Sequence, residues 1–126
     1  MLKKTLVLGA SLKPVRYSNL AIRRLVEYGH DVVAVGRREG TVEGVEILTG
    51  MPALNDIDTV TVYLNEDNQK PFVDYILGLN PKRIIFNPGA ENPRLKKLAV
   101  EKGIEVNDAC TLVMLSVGSY GLPAEK

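Results

Sequence analysis

Short runs of β-branched and aliphatic residues alternate along this chain with longer stretches whose apolar residues repeat at helical spacing. That alternation restricts the fold more than any other feature. "TLVLGA" (5–10), "DVVAVG" (31–36), "DTVTVYL" (58–64), "RIIFN" (83–87) and "IEV" (104–106) read as five strands. Between them, residues 18–28 align Leu20, Ala21, Leu25 and Val26 on one stripe, and Gly29 stands where a left-handed helix stop falls. Phe72, Val73, Ile76 and Leu77 share a second helix face, and Leu95, Leu98 and Ala99 a third, closed by Gly103. Residues 37–55 hold several glycines and no helical period, with "VEGVEIL" reading as a small loop or hairpin. "CTLVMLSV" (110–117) reads as a final helical turn or two. Strands alternating with helices require crossovers, and crossovers require a mainly parallel sheet covered on both faces. The expected architecture is a Rossmann-like, doubly wound α/β fold with five strands in the order 3-2-1-4-5.

A chain of 126 residues is long enough to bury one core, so a single domain is expected over 1–120, with a flexible tail over 121–126. Its net charge of +1 carries no global basicity, which argues against nucleic acid as a partner and makes any anion site local. The single cysteine, Cys110, cannot form an intrachain disulfide and fits a reducing compartment. No apolar run approaches the ~20 residues of a membrane span, and the first one ends at Ala10 without a cleavage-site pattern. A cytoplasmic location without membrane contact is expected.

In a doubly wound sheet the ligand lies outside the carboxyl ends of the strands, where strand order reverses. The first loop there reads "GASLKPVRYSN". Gly9 permits a tight turn, Ser11 offers a hydroxyl and an amide, and Lys13 and Arg16 add positive charge. Ser18 or Asn19 is the expected cap of a helix whose amino end favours phosphate. NAD-binding folds usually place an acid near the end of the second strand; here the position reads Gly36-Arg37-Arg38, with Glu39 coming late. Two arginines suit a ribose phosphate better than a ribose diol. A nucleotide ligand would therefore carry a phosphate on its adenosine ribose, as NADP and coenzyme A both do. Solvated basic residues on ordinary connections would read the same way.

Other residues carry less. Asn92-Pro93 reads as helix cap and first helical residue. Glu91 lacks an identifiable acid–base partner and suits the positive end of the next helix. Asp108 and Cys110 fall at the last strand end, where Cys110 reads as a small buried hydrophobe. His30, the only histidine, follows the Gly29 stop and reads as a surface turn residue, at the opposite edge from the strand carboxyl ends. One histidine and one cysteine support neither a zinc site nor a Ser-His-Asp triad.

The string "LVLGASLKPVRYSN" followed by "GHDVVAVGRR" resembles the small stand-alone CoA-binding proteins of bacteria, which are similar to the amino-terminal domain of the succinyl-CoA synthetase α-subunit. "VYLNEDN", "NPGAEN" and "NDACTLV" match in the same order, so the resemblance runs over roughly residues 3–117. It implies a site for coenzyme A or an acyl-CoA. Gly9, Ala10 and Ser11 would lie against the pyrophosphate, with Lys13, Arg16 and Ser18 nearby. Gly36, Arg37 and Arg38 stand where the family usually has an "NPK"-like segment, losing the proline but keeping charge for the 3′-phosphoadenosine end. The Tyr63–Leu64 backbone and Asn65 would line the adenine or pantetheine channel. Asn87, Pro88 and Gly89 would flank the pantetheine, with Cys110 close to that end. The synthetase's phosphorylated histidine belongs to a second domain and has no counterpart in His30, so ligase activity does not carry over. The expected function is a non-catalytic CoA-binding module. An NADP-dependent small reductase or nucleotide sensor, and a degenerate Rossmann interaction module, are the alternatives.

Overall fold

The computed structural model describes residues 4–121. All five strands read from the sequence are present, as β1 (Lys4–Ala10), β2 (Asp31–Gly36), β5 (Ile57–Val62), β6 (Arg83–Phe86) and β7 (Glu105–Asp108). The glycine-containing stretch between β2 and β5 adds β3 (Gly40–Val42) and β4 (Val45–Leu48). These two form a hairpin whose loop residues, Glu43 and Gly44, have φ of 50° and 79°. Two positive φ angles define the tight turn whose twist matches its flanking strands. The helices are α1 (Tyr17–Glu27), α2 (Glu66–Gln69), α3 (Val73–Gly78), α4 (Pro93–Glu101) and α5 (Thr111–Val117). The single helix read around Phe72–Leu77 is divided, with a 3-10 turn at Lys70–Phe72 between α2 and α3 and Pro71 inside it.

The seven strands run β3-β4-β2-β1-β5-β6-β7, every neighbouring pair parallel except β3 with β4. The expected five-strand order is therefore corrected. The segment read as the third strand lies beside β1, with Leu6 opposite Val60, not beside β2. The place beside β2 belongs to β4, through Ala34–Ile47 and Val35–Leu48. Four residues are too few for β4 to announce itself as a pairing strand. Counted by parallel strands alone, the sheet is 3-2-1-4-5-6, and its reversal lies between β1 and β5.

Period-two alternation sorts the strand residues onto two faces. Leu6, Leu8, Val60, Val62, Ile84 and Phe86 pack with Ile76 of α3 and Leu95 and Ala99 of α4. Val7, Ala34 and Ile85 pack on the other face with Ile22 and Leu25 of α1 and Leu115 of α5. Burying a side chain such as Phe86 or Leu25 contributes about 2–3 kcal/mol each, and both are fully buried. The alternating threonines of β5 point to the α5 side. There Thr61 Oγ1 meets Thr111 Oγ1 at 2.7 Å, and Thr59 Oγ1 accepts from Arg83 Nε at 3.1 Å.

Helix ends follow local signals. After α1, Gly29 (φ 86°) donates its amide to Val26 O and His30 donates to Leu25 O, both at 2.9 Å. That paired closure needs a left-handed residue and uses the expected glycine. His30 itself is corrected from a surface residue to a buried one, 8% exposed. The segment after α5 folds back across the amino-terminal ends of the strands and sets Tyr120 edge-on to the imidazole, ring centroids 4.9 Å apart. Tyr120 is held by Thr5 Oγ1 at 2.5 Å, by Arg83 Nη1 donating to its carbonyl at 2.9 Å, and by the guanidinium 4.4 Å over its ring. Of the expected tail, residues 122–126 lie outside the described residues. No helix among the described residues is long and apolar enough to cross a membrane.

Candidate functional site

At the carboxyl ends of β1 and β2 two glycines let the backbone close up. Gly9 has φ 95°, and a Cβ there would lie 3.1 Å from the Tyr63 carbonyl carbon and from Leu64 Cδ2. At Gly36 a Cβ would lie 2.3 Å from the Ala10 carbonyl oxygen. Gly9, Ala10, Gly36, Tyr63 and Leu64, singled out from separate stretches of sequence, thus meet where the sheet reverses.

Beyond Gly9 the loop turns into α1 with Arg16 as its cap residue, in extended conformation and without a capping side chain. Ser18 and Asn19 are not caps; both are buried within the first turn of α1, 4% and 3% exposed. Asn19 instead braces the loop, donating from Nδ2 to Ser11 O at 2.9 Å and accepting from Arg23 Nε at 2.9 Å. The other arm of Arg23 donates to Pro14 O at 3.2 Å. Ser11 Oγ accepts from the Lys13 amide at 3.1 Å. Asn19 and Arg23 were missed as loop supports, although their four-residue spacing on one helix is the signal that finds such pairs.

Lys13 and Arg16 on this loop, and Arg37 and Arg38 on the β2–β3 turn, are all exposed. The ion pairs among the described residues are Arg24–Glu27, Lys70–Asp67 and Lys96–Asp108. None neutralises those four cations. The first turn of α1 contains no acid either. Positive charge therefore gathers around an uncapped helix start, where amides and dipole already favour an anion.

The far half of the crevice is built differently. Asn87 is 2% exposed and fully engaged: Nδ2 donates to Thr61 Oγ1 at 2.7 Å and Val62 O at 2.9 Å, while Oδ1 accepts from the Thr111 amide at 2.8 Å. It ties β5, β6 and the start of α5 together, and its carbonyl also accepts from the Ala90 amide at 2.8 Å. Asn65 caps α2, accepting from the Asn68 amide at 2.9 Å. Pro88 and Gly89 are exposed, and Gly89 (φ 92°) donates its amide to Glu91 Oε1 at 3.0 Å. Asn92 caps α4 through Oδ1 and the Leu95 amide at 3.1 Å, as its Asn-Pro sequence announces. Gln69, which no local pattern marks, is wholly buried between these loops.

Cys110 is half-buried and precedes α5 as its cap residue. Beside it lies the Tyr63 hydroxyl, buried next to the Thr111 and Thr61 side chains. Burial drives the Tyr63 phenol well above its ordinary value, and the neighbouring Cys110 adds to the shift. The Thr111 and Thr61 hydroxyls pull it partly back.

Two clefts of about 410 and 220 Å³ lie at the opposite pole and share His30. Neither includes a residue of these loops. Glycine close approach, the open helix start and the unpaired cations all fall on the loops at the strand carboxyl ends.

The profile of a protein family described as a CoA binding domain matches residues 3–116. No significant match is found among curated proteins. Among solved structures, that of an uncharacterized protein superposes with a TM-score of 0.90 at 49% identity, covering 94% of this chain and 98% of that one. A hypothetical protein from Pyrococcus horikoshii OT3 gives 0.82 at 24% identity, covering 95% and 85%. A dinucleotide-forming acetyl-coenzyme A synthetase from Ca. Korarchaeum cryptofilum gives 0.66 at 18% identity, covering 82% of this chain but 25% of that one. The last two likenesses carry the fold alone.

Proposed function

Because this chain belongs to the CoA binding domain family, we propose that it binds coenzyme A or an acyl-CoA in the crevice at the carboxyl ends of its strands, as a stand-alone, non-catalytic module. The observation that carries the reading is the group of four exposed, unpaired cations on the first two loops, set around an α1 start that no side chain caps. In this reading Gly9, Ala10 and Ser11 face the pyrophosphate, with Lys13, Arg16 and the Ser18 amide beside it. Gly36 lets Arg37 and Arg38 reach the 3′-phosphate. The backbone at Tyr63, Leu64, Asn65, Asn87, Pro88 and Gly89 lines the pantetheine arm, which ends near Cys110. The engagement of Glu91 by Gly89 supports a binding rather than a catalytic role. A reducing, cytoplasmic setting goes with the single thiol.

Calorimetric titration with coenzyme A, dephospho-CoA, NADP and NAD tests the reading. Coenzyme A is expected to bind at least about tenfold more tightly than dephospho-CoA, the worth of one charge-assisted phosphate contact. Arg37→Ala with Arg38→Ala should erase that preference. Equal affinity of wild-type protein for both ligands removes the role given to the arginines, and absence of coenzyme A binding defeats the proposal.

A further inference from the structure

Gln69 is the last residue of α2, 0% exposed, yet it is a polar side chain with three hydrogen-bond distances below 3 Å. Its Nε2 donates one hydrogen to Leu64 O at 2.8 Å and the other to Ala90 O at 2.7 Å. Its Oε1 accepts from Asn92 Nδ2 at 2.8 Å. Leu64 is the residue whose side chain lies against Gly9, and Ala90 directly follows Pro88-Gly89. Between residues 63–69 and 88–92, every side-chain hydrogen bond among the described residues runs through Gln69. Asn92, 6% exposed, then passes the constraint on by capping α4.

We propose that Gln69 is a positioning residue that sets the separation of the β5–α2 and β6–α4 loops, and through it the affinity for the pantetheine arm but not for the adenosine end. This rests on the coenzyme A reading above. The chemistry needs glutamine. Two carbonyl oxygens face the same nitrogen, so the group between them must donate twice, while Asn92 requires an acceptor at the same side chain. Glutamate cannot donate twice, and methionine donates nothing. The first two loops, which hold the cations, make none of these bonds.

The test compares coenzyme A with adenosine 3′,5′-bisphosphate, which carries the nucleotide end without pantetheine, by calorimetry well below each variant's melting temperature. Gln69→Met keeps the side chain's length and removes every bond. It should weaken coenzyme A about tenfold, as expected for losing one or two net hydrogen bonds, and leave the bisphosphate within about twofold. Asn92→Asp keeps the α4 cap but withdraws the donor from Gln69 Oε1. It should shift coenzyme A in the same direction by about threefold, and it serves where Gln69→Met does not fold. A role in stability alone would move the melting temperature and leave the ratio of the two affinities unchanged. Parallel loss of both ligands, no change in either, or equal affinity of wild-type protein for the two overturns the positioning role. Wild-type protein that binds neither ligand overturns the coenzyme A reading, and this inference with it.

Discussion

Replacing Gly36 by alanine tests the architecture of the crevice at its narrowest point. The added Cβ would stand 2.3 Å from the Ala10 carbonyl oxygen, at least about 0.7 Å inside the closest approach real Cβ atoms show. The obstacle is backbone, so no rotamer change relieves it, and Ala10 and Gly36 are paired across β1 and β2. Gly36 is not among the positive-φ residues, so the whole cost is contact rather than conformation. Prying two central strands apart at one end costs about 1–3 kcal/mol, as overpacking does. In a domain of this size each kcal/mol moves the melting temperature by about 3–5 °C, so a fall of about 3–15 °C is expected in a thermal melt. Gly78→Ala is the matched control. It lies at the end of α3 with nothing within 4 Å of an added Cβ, and helix propensity should raise stability by up to about 1 kcal/mol. The same displacement moves the Arg37-Arg38 turn, so Gly36→Ala should also weaken coenzyme A. A Gly36→Ala protein melting within about 1 °C of wild type refutes the close approach.

Asn87→Asp removes the side-chain donor to Thr61 Oγ1 and the Val62 carbonyl and sets a carboxylate oxygen beside them, so urea denaturation should show a loss of about 2–4 kcal/mol. Tyr120→Phe removes the bond to Thr5 but keeps the ring under the Arg83 guanidinium; a loss of about 1 kcal/mol is expected, checked by the same denaturation. Burial raises the phenol pKa values of Tyr63, Tyr75 and Tyr120 above the ordinary 10.0. The unfolded chain therefore loses those protons first, so stability contributed below about pH 10 should fall as pH rises above it, measured as melting temperature between neutral and strongly alkaline buffer.

The features readable from the chain alone are those that short-range chemistry controls. Strand and helix positions followed from periodicity, Gly29 stopped α1 and Asn92-Pro93 opened α4, because each signal acts within a few residues of itself. The glycine-containing first loop and the basic turn were legible for the same reason: glycine, an absent acid and clustered cations are local facts. Strand order was not local. A four-residue β4 wins the place beside β2 only when the whole sheet is assembled, and that sends residues 57–62 across to β1. Polar side chains were read least well where their partners are distant in sequence. The Asn87 side chain ties three elements together, which its place in sequence did not announce, His30 looked exposed and is covered by Tyr120 from the other end of the chain, and Gln69 gave no signal. A buried polar atom must find a partner wherever the fold provides one, and that partner is set by the folded packing rather than by neighbours along the chain.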